Sequence, residues 1–286
     1  MLISFGNAAQ VGNSYLSCAN QIAFALEKKH KLKTYDLCRY SHHFACPSSD
    51  LISFGSERVK KIGMLAGHLV WRAMKHELLD CGPIALITDG FFTKDPELEI
   101  TARMASSKLL IHHGWKLGNR GILKKHVSSI KDYLALKPEF IAKATERMVN
   151  LRGDARFVIG VHVRRGDYKT YRAGQYYFKD DTYLRIALEA LRSSQMHSRD
   201  VVIVGFSNEK LDWNPSLDGS RVSTPVGEWW EDFLALSMCD LIIGPPSTFS
   251  AAASLAGNVL WYQIKDRSAR YDPAMARTYL DSGVRV

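Results

Sequence analysis

The sequence of 286 residues lacks several features that define common protein classes. It has five cysteines and no C-x-x-C pair, so neither a disulfide framework nor a cysteine zinc site is expected, and the cysteines should be reduced thiols. No run of about 18 apolar residues occurs, so no transmembrane span is expected. The first residues contain no basic segment followed by an apolar run, and we predict no signal peptide and a cytoplasmic location.

The composition is that of a globular protein with a basic surface. Hydrophobic residues make up 46% and charged residues 23%, which is enough for a full core, and the formal net charge is +9. Such a field favours an anionic partner: a nucleotide-sugar, an acidic lipid surface or nucleic acid. The basic residues are scattered and form no known nucleic-acid module, so we expect no nucleic-acid binding. Peripheral association with the anionic inner face of a membrane is compatible with this charge.

Strand and helix patterns alternate along the chain, as in parallel sheets with crossover helices. The predicted strands are 2–5, 33–37, 83–88, 157–163, 201–206, 241–243 and 259–264. The clearest helices are 14–29, 180–194 and 229–239, and Asn13 is the predicted N-cap of the first. We predict an α/β protein of two Rossmann-like domains, residues 1–150 and 151–286, that face each other across a cleft. A linker is expected near residues 151–154.

The most informative segment is the predicted strand 157–163 and the residues after it, FVIGVHVRRGDY. Side chains alternate along a strand, so His162 and Arg164 share one face and emerge together at its carboxyl end. Ligands bind at that edge of open α/β sheets. Arg164 and Arg165 repel each other unless an anion lies between them, and a diphosphate can accept bidentate bonds from both. Alternatively, Asp167 neutralises one arginine in a structural pair, or Arg165-Gly-Asp167 is an adhesion tripeptide.

A second anion site is predicted at residues 241–257, where a short strand, a Gly-Pro-Pro turn and a helix of small residues follow one another. Ser247 is the predicted N-cap of this helix. The free amides at the helix start, together with the hydroxyls of Ser247 and Thr248, suit a phosphate. An N-capped helix without a ligand is the alternative.

The H-V-R-R-G-D-Y string resembles the H-x-R-R motif of the α1,2- and α1,6-fucosyltransferases and protein O-fucosyltransferases, and is most similar to the bacterial α1,2 enzymes. Phe206-Ser-Asn208 with Trp213, and Ser247-Thr-Phe-Ser250, resemble the second and third motifs of that family, in the expected order. Gly12-Asn13 is similar to the family's opening loop. The resemblance implies a GT-B-like fold and an enzyme of polysaccharide biosynthesis that transfers fucose from GDP-fucose to an oligosaccharide or lipid-linked glycan.

The resemblance also implies roles for individual residues. Arg164 would bind the donor phosphates, and Arg165 would support the fold or the phosphates. The remaining donor-binding residues would be His162, Asn208, Asp232, Ser247, Thr248 and Phe249. His162 and Asp232 would recognise the guanosine end, whereas Phe249 and His162 are also compatible with a place in the core.

Transfer from a nucleotide-sugar requires stabilisation of the departing diphosphate and a base for the acceptor hydroxyl. The sequence has no D-x-D triplet for a metal, so we predict no metal and no cofactor, with arginine neutralising the leaving group. Asp167 and Glu228 are the candidate bases for an inverting reaction. The acceptor is expected near residues 6–13 and the loops after Leu37 and Asp89. The four tyrosines Tyr168, Tyr171, Tyr176 and Tyr177 suit either sugar stacking or cover for a core edge. Another nucleotide-sugar donor, or a GDP-binding protein without activity, are the alternatives.

Overall fold

The computed structural model of the protein describes residues 1–5, 10–56, 58–59, 84–88, 108–113 and 120–282. The chain divides into two compact units, Met1–Lys137 and Pro138–Val286. The boundary predicted after residue 150 falls inside a helix, Pro138–Arg152, which belongs to the second unit. This helix packs on the second unit through Phe140, whose ring meets that of Trp230 edge-on at 4.9 Å between centroids.

The first unit is built on a parallel sheet. Its strands are β1 (Leu2–Ser4), β2 (Leu32–Thr34), β3 (Ile52–Phe54), β4 (Ile84–Thr88) and β5 (Leu109–His113), and its helices are α1 (Val11–Lys28), α2 (Arg120–Lys125) and α3 (Val127–Tyr133). The strand order among the described residues is β3-β2-β1-β5-β4, with every pairing parallel. The predicted strand at 83–88 is confirmed as β4, whereas β3 and β5 were not predicted.

Helix α1 begins earlier than predicted. Its N-cap is Gln10, and Gly12 and Asn13 lie in its first turn, so the prediction of Asn13 as N-cap is wrong. The reason is burial: Val11 and Tyr15 extend the apolar face of the helix by one turn towards its start, which outweighs the poor helix propensity of glycine and asparagine. Strand β2 is also shifted, from the predicted 33–37 to Leu32–Thr34. The predicted turns at Gly6-Asn7 and Asp89-Gly90 lie outside the described residues.

The second unit follows the predicted pattern more closely. Its helices are α4 (Pro138–Arg152), α5 (Asp180–Ser193), α6 (Trp229–Ser237) and α7 (Thr248–Gly257), and its strands are β6 (Phe157–Val163), β7 (Val201–Ser207), β8 (Ser216–Leu217), β9 (Ser220–Ser223), β10 (Leu241–Gly244) and β11 (Leu260–Gln263). The sheet order is β11-β10-β6-β7-β9-β8. The described pairs of strands are parallel except for the short β8–β9 hairpin, and an isolated antiparallel bridge joins Trp261 to Arg277. Strands β6 and β7 are buried almost throughout, which explains their continuous apolar sequences.

Two further expectations concern the whole chain. The described cysteines are free thiols, with Cys18, Cys38 and Cys239 buried and Cys46 half-buried, while Cys81 lies outside the described residues. Among the described helices, none combines the length and the apolar character needed to cross a membrane.

Candidate functional site

The candidate site lies where the central strand of the second sheet ends. Strand β6 lies between β10 and β7, and all three run parallel, so their carboxyl ends meet at one edge. At Gly244 the end of β10 lies so close to β6 that a Cβ atom there would approach the His162 carbonyl oxygen to 2.8 Å. Glycine at this position therefore allows the turn after β10 to lie directly beside the end of β6.

Arg164 follows β6 and contacts Asp167 and Tyr168 near that edge. Its Nη2 lies 2.9 Å from Oδ1 of Asp167, and its guanidinium carbon lies 5.6 Å from the centroid of the Tyr168 ring. The side chain of Asp167 is 53% exposed, so water screens this ion pair strongly. The alternative prediction, in which Asp167 pairs with one of the arginines, is therefore present in the structure. Such a partly exposed ion pair contributes little to the stability of the fold.

Arg165 points to a different neighbour. Its Nη2 donates to Oδ1 of Asp180, the first residue of helix α5. A carboxylate in the first turn also interacts favourably with the helix dipole, so Arg165 and Asp180 together fix the start of α5. Gly166, at φ 25°, makes the turn between the two arginines and the following segment, and the amide of the exposed Asn208 lies beside it.

Tyr168 connects residues 164–166, here called the arginine turn, to helix α7, whose start was predicted to bind phosphate. Its hydroxyl donates to the carbonyl of Pro246, the residue before Ser247. Burial raises the pKa of Tyr168 to about 12, so the phenol keeps its proton and remains a donor. Ser247 is the N-cap of α7, as predicted, and its hydroxyl accepts from the amide of Phe249 at 3.2 Å. Arg164 and the start of α7 therefore lie on the two sides of one tyrosine.

His162 is a buried histidine with a hydrogen-bond partner. Its Nδ1 lies 2.7 Å from the hydroxyl oxygen of Ser250, in the first turn of α7, and its ring centroid is 5.2 Å from that of Phe249. Burial, with a smaller effect from the charge of Arg164, lowers the pKa of His162 to about 3. The imidazole is therefore neutral at physiological pH. Phe249 also meets Phe233 of α6 edge-on at 5.8 Å, so it joins α6, α7 and β6.

Asp232 is a buried acid in the first turn of α6. Its Oδ1 accepts a hydrogen bond from Nη2 of Arg147 in α4 at 3.0 Å. Burial raises the pKa of Asp232 to about 7, Arg147 opposes this rise, and Glu231 adds to it. The carboxylate therefore titrates close to neutrality. Asp232 is adjacent in sequence to Phe233, which contacts Phe249, so it belongs to the same end of the second sheet.

The contacts of the remaining predicted site residues do not by themselves indicate a binding role. Glu228 is exposed and forms the capping box of α6 with Glu231, whose side chain accepts from the Glu228 amide at 2.8 Å. Thr248 is half-buried at the first position of α7. Gly12 and Asn13 belong to the first unit, in the first turn of α1. The site thus gathers His162, Arg164, Asp167, Asn208 and the start of α7, with Glu228 engaged in a cap.

Sequence reasoning missed three partners in this region: Arg147, Asp180 and Ser250. Arg147 lies 85 residues from Asp232 along the chain, and no sequence pattern links them. Asp180 could have been found, because an acid at a predicted helix start close to two arginines is a natural partner. Ser250 is the last residue of the Ser247-Thr-Phe-Ser250 motif, about one helical turn after the N-cap, so the motif itself was a signal for it.

The chemical capacity of this edge is anion binding. It offers a half-buried guanidinium, the amides and hydroxyls at the start of α7, and a neutral imidazole. Within the part of the chain that the structure describes, no group of three or more His, Cys, Asp or Glu side chains is arranged to hold a metal ion.

Comparison with known proteins identifies the family. The sequence profile of glycosyl transferase family 11 matches residues 108–268, more than half of the chain. The chain belongs to glycosyl transferase family 11. It is therefore a glycosyltransferase, as the sequence predicted, and the matched region contains the arginine turn and the start of α7. No curated protein sequence matches this glycosyltransferase.

Solved fucosyltransferases share the fold of this glycosyltransferase. A mutant of Arabidopsis thaliana FUT1 in complex with GDP is similar with a TM-score of 0.64 and 12% identity, over 97% of this chain and 73% of that one. The NodZ alpha-1,6-fucosyltransferase soaked with GDP-fucose has a TM-score of 0.54 and 13% identity, over 94% and 97% of the two chains. Fucosyltransferase NodZ from Bradyrhizobium gives 0.54 and 13%, over 94% and 96%. At this identity the likeness concerns the fold, and the predicted GT-B-like α/β class is confirmed.

Proposed function

We propose that this chain is an inverting, metal-independent fucosyltransferase that transfers fucose from GDP-fucose to a hydroxyl of an oligosaccharide or lipid-linked glycan, forming an α1,2 linkage. Membership of glycosyl transferase family 11 supports the transferase class. The likeness in fold to FUT1 with GDP and to NodZ with GDP-fucose supports the donor. The observation that carries the proposal is the convergence of Arg164 and the Ser247-capped start of α7 on Tyr168.

The proposed donor site has its phosphate end at Arg164 and the start of α7. The Asp167 side of the Arg164–Asp167 pair is 53% exposed, so water screens the pair, which is worth at most about 1 kcal/mol. A diphosphate can therefore replace Asp167 as the partner of the guanidinium. A charge-assisted bond to the diphosphate contributes roughly 1.5–3 kcal/mol. The same guanidinium would stabilise the charge that develops as the bond between the sugar and the diphosphate breaks, which is the task of a metal ion in other transferases.

The nucleoside would lie towards α6. A neutral His162 can donate or accept one hydrogen bond at its free edge, and Phe249 offers an aromatic face beside it. The carboxylate of Asp232 can accept from the N1 and amino hydrogens of guanine. We expect Arg165 to act through the fold, because it already holds the start of α5 through Asp180.

Inversion requires the acceptor hydroxyl to attack the anomeric carbon from the side opposite the diphosphate, while a base takes the hydroxyl proton. Asp167 is the first candidate base, since diphosphate binding would release its carboxylate from Arg164 and leave it free to turn towards the acceptor hydroxyl. Glu228 remains the second candidate, although its side chain caps α6.

Replacement of Arg164 tests the proposal. We expect Arg164→Ala to reduce the rate of fucosyl transfer by at least about 100-fold, because the leaving group loses its main positive partner. Arg192→Ala is the matched control, as it removes an exposed arginine at the far end of α5. Both rates are measured with GDP-fucose and with EDTA present throughout.

The outcomes separate the alternatives. GDP should stabilise the protein more than ADP or UDP in thermal unfolding, since a ligand that binds only the folded state raises its stability. Transfer by Arg164→Ala at the wild-type rate, or an absolute requirement for Mn²⁺, would contradict the mechanism. Stabilisation by GDP without any turnover of GDP-fucose would favour a non-catalytic nucleotide-binding protein.

A further inference from the structure

Beyond the donor site, a cluster of tyrosines continues outward from the arginine turn. Tyr168 contacts Tyr171 at 5.3 Å between ring centroids, and each contacts Tyr176 at 6.4 Å. Tyr168 is buried, whereas Tyr171 is 46% exposed. The aromatic cluster, defined as these three residues, therefore begins under Arg164 and ends at the surface of the second unit.

The exposed ring of the aromatic cluster is held in place. The guanidinium carbon of Arg172 lies 5.6 Å from the centroid of Tyr171, and the rings of Tyr168 and Tyr176 pack against the same tyrosine. A ring that is fixed in this way loses little conformational entropy when a ligand stacks on it, which favours binding. Tyr171 is nevertheless 46% exposed, so part of its ring surface remains accessible to a ligand.

A groove of about 450 Å³ is lined on one side by the loop that joins Tyr171 to Tyr176. Its walls are formed by Ala173, Gly174, Gln175, Asp266, Arg267 and Ser268. The first wall, residues 173–175, lies between Tyr171 and Tyr176 in the sequence, and the second wall is formed by residues 266–268. The second follows strand β11, which is parallel to β10 and β6, so the groove lies at the same edge of the sheet as Arg164.

The second wall of the groove is fixed to helix α5. The two terminal nitrogens of Arg185 donate to the carbonyls of Ala269 at 2.7 Å and Arg267 at 2.8 Å. The amide of Tyr271 donates to Glu189 of the same helix at 2.8 Å. The groove is therefore a built feature of the second unit, in which two loops are joined through one helix.

The chemistry of the groove suits a saccharide. Gln175 provides a hydrogen-bond donor and an acceptor for hydroxyl groups. The hydroxyl of Ser268 donates to Asp266 at 2.7 Å and can accept from a ligand, and Asp266 and Arg267 balance each other in charge. An aromatic ring beside a few polar side chains offers one surface for the C–H face of a pyranose and partners for its hydroxyls. A lipid tail would need a more apolar lining, and a nucleotide would need more positive charge.

We propose that Tyr171 and this groove form the subsite for a sugar ring of the acceptor glycan, directly beside the donor diphosphate. The proposal rests on the proposed function and deepens it, since it places acceptor recognition in the second unit. It also assigns Tyr171 a role as a specificity-determining residue. A glycan that enters along the groove would bring its hydroxyl towards Asp167 and Arg164, one ring away.

The experiment measures saccharide binding separately from donor binding. Saturation-transfer difference NMR is recorded with lactose, cellobiose, maltose and chitobiose, each with saturating GDP. We expect at least one disaccharide to bind wild type and Tyr171→Phe, which keeps the ring. We expect at least tenfold weaker binding by Tyr171→Ala, and a loss of several-fold for Gln175→Ala. The thermal shift caused by GDP should be the same in all four proteins.

Each result has a distinct meaning. If none of the disaccharides binds wild type, or if Tyr171→Ala binds as well as Tyr171→Phe, the subsite proposal is overturned while the proposed function stands. If GDP fails to stabilise wild type, the proposed donor is wrong, whatever the saccharides do. If Tyr171→Ala unfolds at a lower temperature than Tyr171→Phe and also responds less to GDP, Tyr171 serves the fold, and the subsite is overturned.

Discussion

The two units treat the carboxyl ends of their central strands in opposite ways. In the first unit the polar side chains there are buried and bind one another: Ser4 lies 2.9 Å from Nδ1 of His112, and Gln21 donates to Asp36 at 2.5 Å. In the second unit Arg164 pairs with a half-exposed Asp167, and Asn208 is exposed. Both edges are topologically suited to ligands. Among the residues that the structure describes at the two edges, it is Arg164 and Asp167 of the second that present charge a ligand can reach.

This difference shows that the edge of a sheet can bind a ligand only if its polar side chains are accessible and are not already buried in hydrogen bonds to one another. Thr34 donates to the oxygen of the Gln21 amide at 2.7 Å, while the nitrogen of that amide donates to Asp36. The polar groups of this network therefore bind one another inside the unit. A buried network of this kind stabilises and specifies the fold when its members are satisfied. The Arg164–Asp167 pair is screened by water and exchanges its partner at little cost. We therefore expect mutations at the first edge to affect stability and those at the second to affect binding.

The largest effect that tests this contrast is expected for Gln21→Leu. The substitution removes a buried donor from the Asp36 carboxylate and should lower the free energy of unfolding by about 3 kcal/mol, since hydrogen bonds to charged groups are the strong ones. Urea denaturation followed by circular dichroism measures the change. Ser17→Ala is the matched control, because it removes a 3.0 Å partner of the same amide without affecting Asp36.

Binding provides the other half of that test. At a temperature where Gln21→Leu remains folded, its affinity for GDP should equal that of wild type. A weaker affinity for GDP with unchanged stability would show that the polar network of the first unit serves ligand binding, and the contrast between the two edges would fail.

A smaller effect is expected from Asp232, which combines burial with charge. Its folded pKa of about 7 lies above the ordinary aspartate value of 3.8, so the folded state keeps a proton that the unfolded state loses between these values. The contribution of Asp232 to stability is therefore full below pH about 4, falls as the pH rises, and is lost above pH about 7. The charged groups that face it are Arg147 from α4 and Glu231 of its own helix.

Asp232→Asn should remove this part of the pH dependence, because asparagine does not titrate. The measurement is the free energy of unfolding at intervals between pH 4.5 and pH 8. Arg147→Gln is the companion variant: it removes the charge that opposes the rise in pKa, so the decline in stability should extend to higher pH. An unchanged slope in Asp232→Asn would assign the pH dependence to other groups.

The sequence predicted the second unit better than the first for a physical reason. Strand β6 is a continuous apolar run with a clear end, and α7 has a serine cap, so both are encoded locally. The start of α1 depends on the burial of Val11 against the rest of the unit, which no local pattern reveals. Likewise, the arginines and the capped helix could be predicted, but the link through Tyr168 joins residues 78 positions apart and depends on the folded sheet.

The smallest effect concerns two matched serine–histidine pairs, one at each edge. Ser250→Ala removes the 2.7 Å contact to His162 and should cost about 1 kcal/mol of stability, and Ser4→Ala should cost a similar amount through His112 at 2.9 Å. Burial is the main cause of the low pKa of His162, so Ser250→Ala should keep the wild-type loss of stability as the pH falls from about 6.5 towards about 3.

The two variants should differ in binding: Ser250→Ala frees the imidazole beside Phe249 and weakens GDP binding several-fold, whereas Ser4→Ala leaves it unchanged. Isothermal titration with GDP measures this difference, and equal affinities in the two variants would remove His162 from the donor site.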